Sequence, residues 1–285
     1  MTSSISLHKL PSEVLWTIVS YLSLQDLATA RHTCKRIQQF CDHPRNWRAV
    51  KLEPQSKSSQ ASPPSGKNMT LWQLNDLKHL IGPHLAHIES IQIWGVRDNI
   101  VLYLLSNCPR LKDLTVCGWM TLSNHAFKLT RKHALRRLEL IGASNLPNYA
   151  AIDAGVLGQL LTHCPDLSEL VLGCQVHIHA KTLIQELRKC SAPLQLRYVT
   201  FATRRTWSQR HVAELMRLLP TLERMCLLPA AAKGFDLKNN NKQDVHRLMM
   251  MGKHHVALGA DSEEEDEEFD MTSDMIIHRC GSLDY

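Results

Sequence analysis

Five side chains of metal-ligating type lie close together in this sequence: His163, Cys164, Cys174, His177 and His179. Thiolates and imidazoles at such spacing can hold a tetrahedral zinc ion. The chain has sixteen histidines, however, so groupings of this kind arise by chance, and Cys164 also stands in a Cys-Pro break at the end of a helical segment. No metal site is expected. The usual catalytic patterns are absent as well: there is no H-E-x-x-H, no G-x-S-x-G, no phosphate-binding loop and no G-x-G-x-x-G. The residues predict a non-catalytic protein without a cofactor, so its work must lie in surfaces.

The first surface is read from residues 8–50. Pro11 suits the first turn of a helix, where a missing N–H costs nothing. Ser12 and Glu13 put capping groups and negative charge at the same end. Val14, Leu15, Ile18, Val19 and Leu22 then recur at helical spacing and spread over more than one narrow stripe. Ser23 with Asp26 reads as a second helix start, with Leu24 and Leu27 as its apolar positions. Thr33 to Phe40 reads as a third helix that Pro44 stops, and Trp47 offers one large anchor. Three short helices cannot bury this much apolar surface alone. The excess faces either the rest of the chain, as a helical cap, or a partner.

The ordered set Leu10, Pro11, Glu13, Val14, Leu15, Ile18, Leu22, Asp26, Leu27, Cys34, Lys35, Arg36 and Trp47 resembles an F-box. Thr33 and Ile37 depart from that pattern, which favours Val and an aromatic there. The resemblance implies docking to the Skp-family adaptor of a cullin–RING ubiquitin ligase. It assigns Leu10, Pro11, Val14, Leu15, Ile18, Leu22, Leu27 and Trp47 to that contact.

The remaining composition is that of an ordinary folded chain: 285 residues, 44% hydrophobic and 21% charged. No apolar run approaches the roughly 20 residues of a membrane helix. Nine cysteines without C-x-x-C spacing, and no secretory signal, predict reduced thiols and a cytoplasmic or nuclear address. Residues 54–68 include QSKSSQASPPSGKN, a composition that reads as a flexible linker.

Residues 69–237 repeat themselves. L-x-x-L-x-L lines start at Leu111, Leu135 and Leu167, with weaker copies at Ile88, Leu196 and Leu222, spaced by 23, 24, 32, 29 and 26 residues. Leucine-rich repeats have periods in or near this range. Helical segments precede several copies and end at Cys108-Pro109, Cys164-Pro165 and Leu219-Pro220. The predicted architecture is α/β: a three-helix F-box, then an irregular solenoid with a parallel concave sheet and convex helices. An unrelated α/β domain with Leu-rich strands is the alternative. Cys108 and Cys164 resemble the cysteine before the strand in F-box/leucine-rich-repeat proteins. The Asn or Cys usual eight residues into each line is replaced by Trp119, Ala143, Gln175, Arg204 and Ala230, which predicts an uneven arc.

In such an arc the x positions face outward. Gln92, Lys112, Asp113, Thr115, Arg136, Arg137, Glu139, Glu169, Arg197 and Tyr198, with Trp94 beside them, would then form the binding face. The expected substrate contacts are Trp94, Lys112, Arg136, Arg137, Glu139, Arg197 and Tyr198. The three arginines favour an acidic or phosphorylated protein segment, since guanidinium forks match carboxylate and phosphate. Residues 238–285 read as a mostly disordered tail, whose 261–270 run holds eight acidic side chains. Outside that run, 33 basic residues face 19 acidic ones. Without a nucleic-acid motif or interleaved aromatics, a solvated basic surface is expected rather than a nucleic-acid site. The function predicted is a substrate receptor of an SCF-type ligase; a plain leucine-rich-repeat scaffold is the alternative.

Overall fold

A computed structural model describes residues 10–53, 71–119, 121–141, 149–176, 178–190, 193–203, 207–229, 254–258 and 275–279. The expected linker at 54–68 and the acidic run at 261–270 lie outside these residues.

The N-terminal unit has four helices: α1 Ser12–Ser20, α2 Leu24–Ala30, α3 Lys35–Cys41 and α4 Pro44–Trp47. Pro11 stands at the N-cap of α1, and its carbonyl accepts from the Leu15 N–H at 3.1 Å. Ser23 caps α2: its Oγ accepts from the Asp26 N–H at 3.1 Å and donates to the Asp26 carboxylate at 2.7 Å. Pro44 does not merely stop α3, as its sequence position suggested. It opens α4 as a first-turn proline, with the His43 ring accepting from the Arg45 N–H. Leu15 and Val19, Leu27, Ile37 and Cys41, and Trp47 make the core of the unit.

After Trp47 the chain enters β1, Ala49–Leu52, which pairs in parallel with β2, Ser90–Trp94. The helical unit is thus joined to the rest by a shared sheet. Between them come α5, Leu74–Ile81, and a 3-10 turn, Gly82–His87. The Trp47 indole stacks on the His84 ring of that turn at 3.8 Å and 11°. Its Nε1–H donates to the Cys41 carbonyl at 2.7 Å.

The sheet then grows by repetition. In chain order come α6 Asp98–Asn107, β3 Asp113–Cys117, β4 Thr121–Ser123, β5 Arg137–Ile141, β6 Tyr149–Ala151, α7 Ala154–His163, β7 Glu169–Val176, α8 Ala180–Arg188, β8 Tyr198–Thr203, α9 Gln209–Leu218 and β9 Arg224–Pro229. The strands line up as β1-β2-β3-β5-β7-β8-β9, all parallel, with β4 and β6 set aside as a small accessory pair. At each step one carbonyl just before a strand accepts from two successive N–H groups of the next. Arg48, Glu89, Lys112, Arg136, Ser168 and Arg197 all do so. The register stacks Ile91, Leu114, Leu138, Leu170, Val199 and Met225 in one row and Ile93, Val116, Leu140, Leu172, Phe201 and Leu227 in another. All are buried in one core shared with the helices, which therefore cover that face.

Cys108 and Cys164 are buried C-caps of α6 and α7. Burial pushes both thiols up to about 12, so they stay protonated packing groups. Gly95 and Gly118, just after β2 and β3, have φ of 68° and 54°, a backbone shape that side chains with a Cβ resist. Trp119 fills its position as a fully buried indole. Ala143, Arg204 and Ala230 lie outside the described residues.

The C-terminal region departs from expectation. Regular structure does not end near residue 237: β10 His254–Leu258 and β11 Met275–Arg279 extend the sheet. β11 pairs antiparallel with β9, and β10 pairs with β11. An exposed sheet edge recruits any extended chain able to satisfy its N–H and C=O groups, which propensity alone does not reveal.

Candidate functional site

Two surfaces stand out. The first is on α1. The exposed large hydrophobic residues of the described structure are Val14 at 41%, Ile18 at 37% and Tyr21 at 85%. All three lie on or just after this one helix, at i, i+4 and i+7, so they form a single outward stripe. Pro11 beside them is exposed, while Leu10 and Leu22 are half-buried and pack against the core. The Arg36 guanidinium anchors this start of the helix by donating to the Leu10 carbonyl at 2.8 Å.

Leu15, Leu27 and Trp47 are placed differently from the sequence expectation. Their exposures are 0%, 4% and 0%, so they shape the stripe from within and do not present themselves at it. Trp16 lies over Phe40 and His43, its ring centroids 5.0 and 4.8 Å away, and props the far side of α1. Tyr21 was missed in the sequence because it sits past the last helical residue. Its i+7 spacing from Val14 was the available signal.

Behind the stripe, α2 and α3 meet the 3-10 turn in a charged junction. Arg31 Nη2 donates to Asp42 Oδ2 at 3.0 Å, and His84 Nε2 lies 3.6 Å from Asp42 Oδ1. His84 is almost fully buried. Burial, aided by Arg31 and opposed by Asp42, lowers its proton affinity to a pKa of about 4. At neutral pH the junction therefore holds one ion pair and a neutral imidazole under Trp47.

The second surface is the sheet face away from the helices. Here the x positions come together, as the spacing predicted, but several of them, Lys112, Thr115, Arg137, Arg197 and Tyr198, already have acidic partners on this face. Glu89 bridges Arg48 at 3.1 Å and Lys112 at 2.8 Å. The hydrogen bond from Lys112 is the main cause holding the Glu89 carboxyl below its usual range. Arg137 meets Glu139 at 2.9 Å and Glu169 at 3.2 Å. Arg197 and the Tyr198 hydroxyl both donate to Glu223, at 2.6 and 2.8 Å.

Glu139 is buried, with Thr115 Oγ1 donating to it at 2.7 Å, so it does not offer a contact to a partner. Cys117, Ile141, Val171 and Cys226 on this face are buried too. Trp94 is half-buried, with the Lys51 ammonium 5.5 Å from its ring centre. Arg136 stays exposed. Arg137 and Arg197, expected to wait for an acidic ligand, already have carboxylate partners. Those partners stand up to one repeat away in sequence, which is why pattern reading did not pair them.

The candidate metal cluster is not assembled by the described residues, among which no group of three possible ligands occurs. His163 Nδ1 lies 2.7 Å from the Gln159 carbonyl, and Cys164 is packed in the core. His177 lies outside the described residues. The seven cysteines with described side chains are free thiols. Among the described residues no helix is long and apolar enough to cross a membrane.

Residues 7–53 match the F-box-like family, and the match spans the four helices and β1. The N-terminal unit is an F-box-like domain. Over 241 residues the chain is also similar to F-box/LRR-repeat protein 4 of Bos taurus, at 24% identity. That alignment covers 77% of this chain and 37% of the relative, so the chain spans little more than a third of the length of the protein it matches. Together the two likenesses support an F-box/leucine-rich-repeat protein. Within the F-box-like domain, α1 is the element that leaves apolar side chains outside.

Proposed function

We propose that the chain is the substrate-recognition subunit of an SCF-type ubiquitin ligase. In this reading α1 docks the Skp-family adaptor, and through it the cullin–RING ligase. The single observation that carries it is the stripe Val14, Ile18 and Tyr21. A fold that buries Leu15 and Val19 on one side of a nine-residue helix leaves those three out on the other. A contiguous apolar patch set in a polar surface is the ordinary mark of a protein contact.

The repeating strand-and-helix units are read as a leucine-rich-repeat solenoid whose concave sheet face and rim hold a target protein. The six-fold recurrence of the two-donor carbonyl supports that reading. Such a receptor performs no bond chemistry. It raises the effective concentration of target lysines beside a charged conjugating enzyme. A cytoplasmic or nuclear location goes with that role.

The scaffold alternative has its own support. The N-terminal unit also caps the sheet, through β1 and the Trp47–His84 stack. A cap alone does not account for the exposed stripe. Co-purification of the adaptor with the full chain, compared with Val14→Asp/Ile18→Asp, tests the assignment: capture that persists in the variant favours the scaffold.

A further inference from the structure

The edge of the sheet where the strands begin differs from the face above it. The loops leading into β3 and β5 carry Arg110, Arg131, Lys132 and Arg136, all exposed. They share one neighbourhood. Arg110 lies in the turn between α6 and β3, and the Arg131 guanidinium donates to the Ser106 carbonyl at the end of α6. The Arg136 N–H donates to the Lys112 carbonyl at 2.7 Å, which sets the β5 loop beside the β3 loop. Among the described residues none of the four is in an ion pair, whereas Arg48, Lys112, Arg137 and Arg197 all are. The local field is positive: the ring of His133, between Lys132 and the strand, is held below the ordinary imidazole range by burial first, then by Arg131 and His163.

We propose that this edge, Arg110, Arg131, Lys132 and Arg136, is the recognition site for an acidic peptide segment of the partner protein. The proposal rests on the receptor reading and names its substrate class. Guanidinium forks without a carboxylate of their own are free to pair with carboxylates or phosphoryl oxygens. The extent fits a short segment: β3 and β5 are neighbours, about 4.8 Å apart, so the four cations span little more than two rungs. Carboxylates close the patch, with Glu89 on one side and Asp166 in the exposed turn before β7 on the other. A continuous phosphate backbone would run into them, and among the described residues this edge has no exposed aromatic ring on which a base could stack. Peptide is therefore favoured over nucleic acid.

The probe is a fluorescein-labelled decapeptide of eight Glu or Asp residues, titrated into the full chain, with a lysine-rich peptide and a ten-nucleotide RNA as controls. Because residues 261–270 are themselves acidic, the titration is repeated on a chain with those eight carboxylates changed to amides, which removes competition in cis. The acidic peptide should bind in at least one of the two backgrounds. Arg110→Glu/Lys132→Glu/Arg136→Glu should weaken it by about tenfold or more, and high salt should do the same. Adaptor capture should be unchanged by this variant. Equal binding by the variant, tighter binding of the RNA, or no binding in either background would overturn the proposal. Loss of the adaptor reading alone, with peptide binding intact, would sink the receptor role and leave this site standing.

Discussion

The outward face of α1 and the open face of the sheet are both lined by side chains that helix or strand periodicity turns away from the core. One is apolar and, among the described residues, left exposed; the other carries charges of which Arg137 and Arg197 already have carboxylate partners. Val14, Ile18 and Tyr21 lose nothing by meeting a partner and gain the burial of their area. Arg137 and Arg197 would first have to give up Glu139, Glu169 and Glu223. The first kind of surface gives affinity. The second gives shape and position, and leaves charge selection to cations that lack a partner.

The largest expected effect comes from removing what holds the apolar face in place. Trp47→Ala deletes a fully buried indole, its stack on His84 and its hydrogen bond to Cys41. It should cost about 3–5 kcal/mol in chemical denaturation. If adaptor capture survives that loss at full strength, α1 does not depend on the core behind it.

Acid should act at the same junction. His84 has a folded pKa of about 4 against an ordinary 6.5, so the unfolded chain binds its proton first. The associated stability is complete above pH 6.5 and falls by about 3 kcal/mol as the pH drops through 4. Urea unfolding between pH 7 and 4 measures it, with His84→Gln as the reference. Identical pH slopes in both proteins would show that this ring does not couple the two regions.

A smaller effect is expected at the far end. Ending the chain after residue 258 removes β11 and uncovers β9. The loss should be about 2 kcal/mol in the melting transition, with added aggregation through the bared edge. An unchanged transition would mean that β11 adds no stability to the sheet.

The smallest change is expected on the paired face. Arg197→Ala breaks an exposed pair with Glu223 and should shift stability by less than about 1 kcal/mol. A larger drop would mean that these surface pairs hold the sheet together.

How far these surfaces could be read in advance differs by region. The helices α1 and α2 and the strands β2, β3, β5, β7, β8 and β9 were legible because apolar spacing, Ser23 and the Cys-Pro and Leu-Pro breaks are local signals, whereas the short accessory strands β4 and β6 carry no such repeat. The start of α4 at Pro44 was not, since proline both ends one helix and opens another. β1 was missed because Ala49–Leu52 is four residues whose partner, β2, comes some forty residues later. The charge pairs were missed for a similar reason, although aligning the repeats would have set Arg197 one rung from Glu223. Tyr21 shows the limit of periodicity: the helix had ended before it.

If α1 is the docking surface, its exposed stripe can be spoiled without harming the fold. Val14→Asp/Ile18→Asp places two charges on that stripe and leaves Leu15 and Val19 in the core. In a binding titration with purified adaptor, the expected loss is at least about a hundredfold, roughly 3 kcal/mol, with an unchanged melting temperature. Undiminished binding by a fully folded variant would contradict it.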